Sequence, residues 1–147
     1  MKTINKFNKM KTLVASLLVV TTVCLGMFSS AFAGNTQDTD YEFHNTNTRG
    51  TTEGREKTDT TKVYVHPTSG PALTYSVRGA TDRNGAGAAV YSGSFTIYNG
   101  TRASITNRVY EEGEPYAQLH FESTVYADAW THGVWSPDST QNYTVYG

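Results

Sequence analysis

The chain has 147 residues, 12 Lys or Arg against 13 Asp or Glu, a formal net charge of −1 and one cysteine. A chain of that length makes one domain, and a lone cysteine excludes an intramolecular disulfide. The charge balance excludes the basic surface that gripping nucleic-acid phosphates requires.

Residues 1–33 have the pattern of a cleavable secretory signal. Lys2, Lys6, Lys9 and Lys11 give a basic start, Leu13 to Phe28 is mostly apolar, and Ala31-Phe32-Ala33 fits a small-x-small cleavage site. The apolar run is shorter than the ~20 residues of a membrane-spanning helix, and Thr21, Thr22 and Gly26 dilute it. Cleavage after Ala33 removes Cys24 and four lysines but no acid, leaving eight basic and 13 acidic residues, a net charge of −5. That charge also weakens attraction to anionic lipid headgroups. The expectation is a secreted or cell-surface protein with no transmembrane segment after processing and no staple of sulfur.

Residues 34–60 are polar, with Tyr41 and Phe43 as the only large apolar side chains. Ordering the backbone costs about 1–2 kcal/mol per residue. Burying each ring returns about 1.5–3 kcal/mol. The stretch is expected to be a flexible segment unless Asp40–His44 joins a sheet edge, and the mixed charges of Arg49 to Asp59 read as a solvated tether.

A β domain is expected over residues 61–147. Thr61–His66 alternates Val63 and Val65 with polar residues, and Ala72–Arg78 does the same with Leu73, Tyr75 and Val77. A period of two belongs to strands. The link Pro67-Thr68-Ser69-Gly70-Pro71 is rich in turn formers. A hairpin with Val65 opposite Leu73 and Val63 opposite Tyr75 would match apolar faces. Gly79–Gly87 reads as a loop, Val90 and Tyr91 as the start of a strand, and Ser94–Tyr98 as a strand with Phe95 and Ile97 on one face. Face matching favours a three-residue loop, Tyr98-Asn99-Gly100, with Gly100 in the left-handed region, pairing Ile97 with Thr101 and Phe95 with Ala103.

The strongest alternation lies in Ala103–Tyr110 and Tyr116–Tyr126, joined by Glu111-Glu112-Gly113-Glu114-Pro115. A hairpin there would pair Val109 with Ala117 and Ile105 with Phe121. Asn107 breaks the pattern, because this register places it on the apolar face, where it needs a partner or a bulge. Ser136-Pro137-Asp138-Ser139 makes a turn, and Gln141–Tyr146 is a last short strand. About seven short strands separated by turn signals predict an all-β fold, a small antiparallel β-sandwich or barrel. The expected core is Val63, Val65, Leu73, Tyr75, Val77, Phe95, Ile97, Ile105, Val109, Leu119, Phe121, Val125, Trp130 and Trp135.

His120 and Glu122 share one face of a strand, as metal ligands must, but zinc needs three or four ligands, and nothing in the spacing joins the candidates His66 and His132 to them. Glu111, Glu112 and Glu114, and Asp82 with Asn84, lack the closing carboxylate of a calcium loop. Ser92-Gly93-Ser94 lacks the nucleophile-elbow pattern of a hydrolase. No metal, cofactor or catalytic residue is therefore expected. The candidate binding surface is aromatic: Tyr64, Tyr110, Tyr116 and Tyr126 fall on outward strand positions, with Trp130 and Trp135 nearby in sequence. Such rings stack on sugars or anchor a protein partner.

Arg55 to Val65 and His132 to Ser139 resemble a family of uncharacterised small secreted proteins of Gram-positive bacteria. That resemblance brings no catalytic residue with it. Gly133-Val134-Trp135 followed by Tyr143–Tyr146 is more distantly similar to the end of lactococcin-like bacteriocins, which implies a cysteine-free β-sandwich acting at a cell envelope. The functional expectation is a secreted, non-catalytic β protein that binds a cell-surface, glycan or protein partner. A bacteriocin-like antimicrobial protein acting on competing cells is the alternative.

Overall fold

Residues 34–141 and 143–147 are described in a computed structural model; the expected signal at residues 1–33 lies outside them. Alternating large and polar side chains make strands throughout. Among the described residues they are β1 (Thr39–His44), β2 (Arg49–Thr51), β3 (Arg55–Glu56), β4 (Val63–Ser69), β5 (Leu73–Ala80), β6 (Ala89–Val90), β7 (Phe95–Ile97), β8 (Ala103–Ile105), β9 (Tyr116–Ser123), β10 (Trp130–Ser136) and β11 (Thr144–Tyr146). They form two sheets. One has five strands in the order β1-β10-β4-β8-β11, antiparallel except for the parallel pair β8 and β11. The other runs β2-β9-β5-β6, with β3 also beside β9 and β7 also beside β5.

The sheets face each other over one apolar interior. Tyr41, Phe43, Val63, Val65, Ala103, Ile105 and Trp135 come from the five-stranded sheet. Leu73, Tyr75, Val77, Ile97, Ala117, Leu119 and Phe121 come from the other, and Val109 enters from a loop. The all-β fold expected from the alternation, as a sandwich or barrel of about seven strands, is a sandwich of eleven strands among the described residues. Of the expected core, Phe95 is only half-buried and Val125 and Trp130 are each 49% exposed.

None of the three expected hairpins forms. Val63 and Val65 lie in one sheet, while Leu73 and Tyr75 lie in the other. Ile97 pairs with Leu73 and Phe95 with Tyr75, while Ala103 pairs with Val65. Ile105 pairs with Val63, while Phe121 pairs with Tyr75. Each expected partnership is replaced by an arch from one layer to the other. The faces were matched correctly, because alternation says which side chains are apolar together. It does not say whether two apolar faces continue side by side in one sheet or oppose each other across the interior.

Local chemistry explains where the chain changes layer. Gly100 has φ of 81°, the expected left-handed conformation, and the Thr101 amide donates to the Tyr98 carbonyl at 3.1 Å. The Gly100 amide donates to Pro67 O at 2.8 Å, which ties that loop to β4 instead of closing a hairpin. Asn107 ends β8: its Nδ2 donates to Ile105 O and its Oδ1 accepts from the Val109 amide, both at 3.3 Å. This short-range bonding competes with the ladder, and the following turn closes with Glu114 N donating to Val109 O at 3.0 Å. Pro67 sits inside β4, not in the loop, opposite Gly133, where the register of β10 shifts between His132 and Gly133. A strand can hold a proline where the ladder is already irregular.

Residues 34–60 supply three strands where a flexible segment was expected, and β2 and β3 lie within Arg49 to Asp59, the stretch read as a solvated tether. Asp40–His44 does join an edge: β1 pairs residue for residue with β10, from Thr39 opposite Trp135 to His44 opposite Trp130. The ladder adds hydrogen bonds to the burial of Tyr41 and Phe43. A second anchor is Lys57, whose ammonium meets the carboxylate of Asp138 with both side chains wholly buried.

Candidate functional site

Period-two alternation gives the five-stranded sheet an outer face as well as an inner one. On β1 the outward residues are Asp40, Glu42 and His44; on β10 they are Trp130, His132 and Val134. Antiparallel pairing places His44 beside Trp130, Glu42 beside His132, and Asp40 beside Val134. His66 of β4 lies across from Val134 on the other side.

Trp130 is the centre of this face. It is 49% exposed. The His44 ring stacks on it with centroids 4.6 Å apart and 21° between planes, and the His132 ring lies at 6.4 Å and 27°. His44 is held from both sides. Its Nε2 lies 2.8 Å from a carboxylate oxygen of Asp128, and its Nδ1 lies 2.8 Å from the Thr46 hydroxyl. A carboxylate accepts, so Nε2 carries the proton and Nδ1 accepts from Thr46 in the neutral ring. Glu42 approaches His132 Nδ1 at 4.0 Å. An open depression of about 640 Å³ adjoins the platform, lined by Asp40, Glu42, Thr68, His132 and Val134 among others. The face thus offers a fixed aromatic plane, imidazole donors and carboxylate acceptors.

The six candidate aromatics do not form one surface. Trp135 is a correction: it points inward and is 1% exposed, so it belongs to the core. The Arg55 guanidinium lies over its ring at 5.6 Å and donates to its carbonyl at 3.2 Å. Tyr64 is a second correction. It does face outward, but Tyr143 covers it, with centroids 5.0 Å apart, and burial pushes its phenol pKa up. Tyr110 is exposed in the turn before β9, and Tyr116 is half-buried on the outer face of the six-stranded sheet. Tyr126 is 82% exposed in the loop after β9. Only Trp130 and Tyr64 share the outer face of the five-stranded sheet. His44 and Glu42 were missed because only the pairing of β1 with β10 brings them beside Trp130, and Asp128, close to Trp130 in sequence, was missed because its partner His44 lies 84 residues away.

The titratable pairs considered for metals separate. His120 and Glu122 lie on the outer face of the six-stranded sheet, and His66 and His132 lie on the other sheet's outer face. His120 Nδ1 lies 2.9 Å from the Thr51 hydroxyl, and burial, reinforced by Arg78, lowers its pKa. Asp82 is engaged locally, its Oδ1 accepting from the amides of Asn84 and Ala86. Among the described residues no three His, Cys, Asp or Glu side chains converge.

A second concavity of about 420 Å³ opens where β1 and β2 part at the edge of the sandwich. Tyr41, Phe43, Phe121 and Trp135 floor it, and its rim mixes Glu42 and Glu53 with Arg49, Arg55 and Arg83. Arg83 is engaged with Glu53 at 3.4 Å, and Arg55 donates to Asn35 Oδ1 at 2.8 Å. Two of its three guanidinium groups are thus already satisfied. Among the described residues no helix is long and apolar enough to cross a membrane.

A family model described as "Protein of unknown function (DUF2712)" matches residues 29–139. No curated protein and no solved structure matches the chain.

Proposed function

The chain belongs to that family of unknown function, and from its own geometry we propose that it is a secreted, non-catalytic binding protein that docks a glycan on the Trp130 face. The observation that carries this reading is the half-exposed Trp130 ring, stacked against His44 with the His132 ring 6.4 Å away. A sugar ring presents an apolar C–H face to an aromatic plane and a girdle of hydroxyls to polar neighbours. Trp130 supplies the plane. Asp40, Glu42 and Asp128 accept from hydroxyls, and His132 has a ring edge free of the stacking contact to donate or accept. A protein partner is the weaker fit, since protein hot spots sit inside desolvated apolar patches, and the surroundings of Trp130 are charged. Secretion follows from the basic, apolar and small-x-small pattern of residues 1–33.

The test is a sedimentation assay of the processed protein with insoluble peptidoglycan and with chitin, followed by titration of tryptophan fluorescence with soluble fragments. The expected result is binding to at least one of them, weakened by Trp130→Ala about tenfold or more, which corresponds to about 1.4 kcal/mol. Equal binding by Trp130→Ala and the parent, or no binding to either polymer, would remove the reading. Inhibition of related bacteria by the purified protein without any glycan binding would replace it with the antimicrobial one.

A further inference from the structure

Lys57 follows β3, and Asp138 follows β10, 81 residues further on. Their side chains meet with no exposure on either. A buried ion pair alone is a common structural device, but the surroundings of this one are asymmetric in a chemically specific way. One carboxylate oxygen, Oδ1, touches only the Lys57 ammonium among its hydrogen-bond partners. The other, Oδ2, accepts three hydrogen bonds: from the Asn35 amide at 2.8 Å, the Thr58 amide at 3.1 Å and the Thr58 hydroxyl at 2.8 Å. Preorganised donors aimed at one oxygen of a carbonyl carbon stabilise a tetrahedral oxyanion. Lys57 Nζ also donates to Thr61 O at 2.6 Å, which aims the nitrogen. A second carboxylate, Asp59, stands with its Oδ1 3.8 Å from Nζ and is held there by the Thr61 amide at 2.8 Å and by the Thr61 hydroxyl.

We propose that Lys57 and Asp138 condense, after folding, to an intramolecular amide that staples the N-terminal strands to the segment beyond β10. The ammonium first returns its proton to Asp138 Oδ1 through their contact, giving an amine and a carboxylic acid with no change in net charge. The nitrogen lone pair attacks Asp138 Cγ, the N–Cγ bond forms, and Oδ2 takes the negative charge into the three donors. Nitrogen releases one proton to Asp59, which hands it to Oδ1. The Cγ–Oδ1 bond then breaks and Oδ1 leaves as water. One amide and one water are produced, Asp59 is regenerated, and nothing is oxidised or reduced. The product uses the contacts already in place: the amide N–H donates to Thr61 O, and the amide oxygen keeps the three donors on Oδ2.

Two further features favour the step. Fixing both reactants in one dry site makes the reaction effectively unimolecular, and exclusion of water opposes the reverse hydrolysis. Burial raises the Asp138 carboxyl, but the ion pair with Lys57 and the Thr58 donors together outweigh it and hold the group below the usual carboxylate range. The neutral reacting pair is therefore a minority, and the condensation is a slow maturation after folding. The link would do in this chain what a disulfide cannot, since the sequence has a single cysteine.

Intact-mass measurement of the secreted protein tests this without any variant. The expected chain is lighter by one water than its sequence, and proteolysis yields a branched peptide joining the Lys57 and Asp138 segments. In Lys57→Arg, which keeps the cation but forms no amide here, the full mass returns and the branched peptide disappears. Asp59→Asn is expected to lower the linked fraction several-fold, and an unchanged fraction would overturn the part assigned to Asp59. Folded parent protein of full, unlinked mass would overturn the proposal outright.

Discussion

Trp130 and Trp135 stand on the same seven-residue strand, five positions apart, and meet opposite fates. The odd spacing puts them on opposite faces of the sheet. Trp135 packs among the inner side chains under Arg55, whereas Trp130 is half-exposed and stacks on His44. The inner face is mostly apolar, with a bonded pair of phenols and the bonded Thr131 hydroxyl; the outer face is aromatic with charged neighbours. The same residue type therefore meets two environments, and which one is set by parity within β10 and by what β1 brings alongside.

The sharpest way to separate the two faces is to remove the indoles one at a time. Trp135→Ala leaves a cavity between the sheets and is expected to cost about 3–5 kcal/mol in urea denaturation. Loss of less than 1 kcal/mol would mean that the inner face does not close as described. Tyr41→Phe comes next. The Tyr41 and Tyr75 hydroxyls bond at 2.8 Å inside the core, so removing one strands the other at a cost of about 1–3 kcal/mol. The double change to phenylalanine is expected to recover part of that loss.

The same phenols give a test by pH. Burial pushes Tyr75 up to about 12 and Tyr41 higher still. Both are therefore protonated in the fold while an unfolded tyrosine ionises near ~10. Their contribution to stability is intact below that value and declines as pH rises above it. Ultraviolet titration is expected to show two tyrosines that ionise only when the protein unfolds.

Trp130→Ala should alter stability by no more than about 0.5 kcal/mol, while weakening the proposed glycan binding about tenfold or more. A large loss of stability there would move Trp130 into the structural class of Trp135. The smallest effect belongs to the polar outer face of the other sheet. His120 is held neutral by burial, with a pKa below its ordinary value of about 6.5. The unfolded chain then binds more protons, so His120's contribution is complete above that pH and is lost as pH falls through its lowered folded value. Denaturation midpoints that decline from neutral toward acid pH in the parent, and decline less in His120→Gln, would show it.

Much of this fold is legible in the residues themselves. Alternation in Val63–Val65, Leu73–Val77 and Ala117–Phe121 marks the inward faces, and Gly100 marks a left-handed turn. Asn107 shows as a fault in an apolar face, and the structure makes it the end of a strand. The neighbours were not legible. A hairpin is the shortest way to pair two matched strands, yet Val63 found Ile105 and Tyr75 found Phe121, each more than 40 residues away. The ordering of Tyr41 and Phe43 was hidden for the same reason, since their ladder partners lie near the far end of the chain. Trp130 and Trp135 were each assigned to surface and core alike and lie on opposite faces of β10, while His44 and Asp128 were not among the candidates.

By itself the amino-acid order determined that the backbone is extended, which side chains turn inward, and that no sulfur can hold the layers together. The tertiary structure alone decided which strands are neighbours, where the outer face of β10 acquires its imidazoles, and that Lys57 meets Asp138. The reason is physical. Side-chain direction is a local property of period two, while strand pairing and the meeting of distant groups depend on how two layers share one interior.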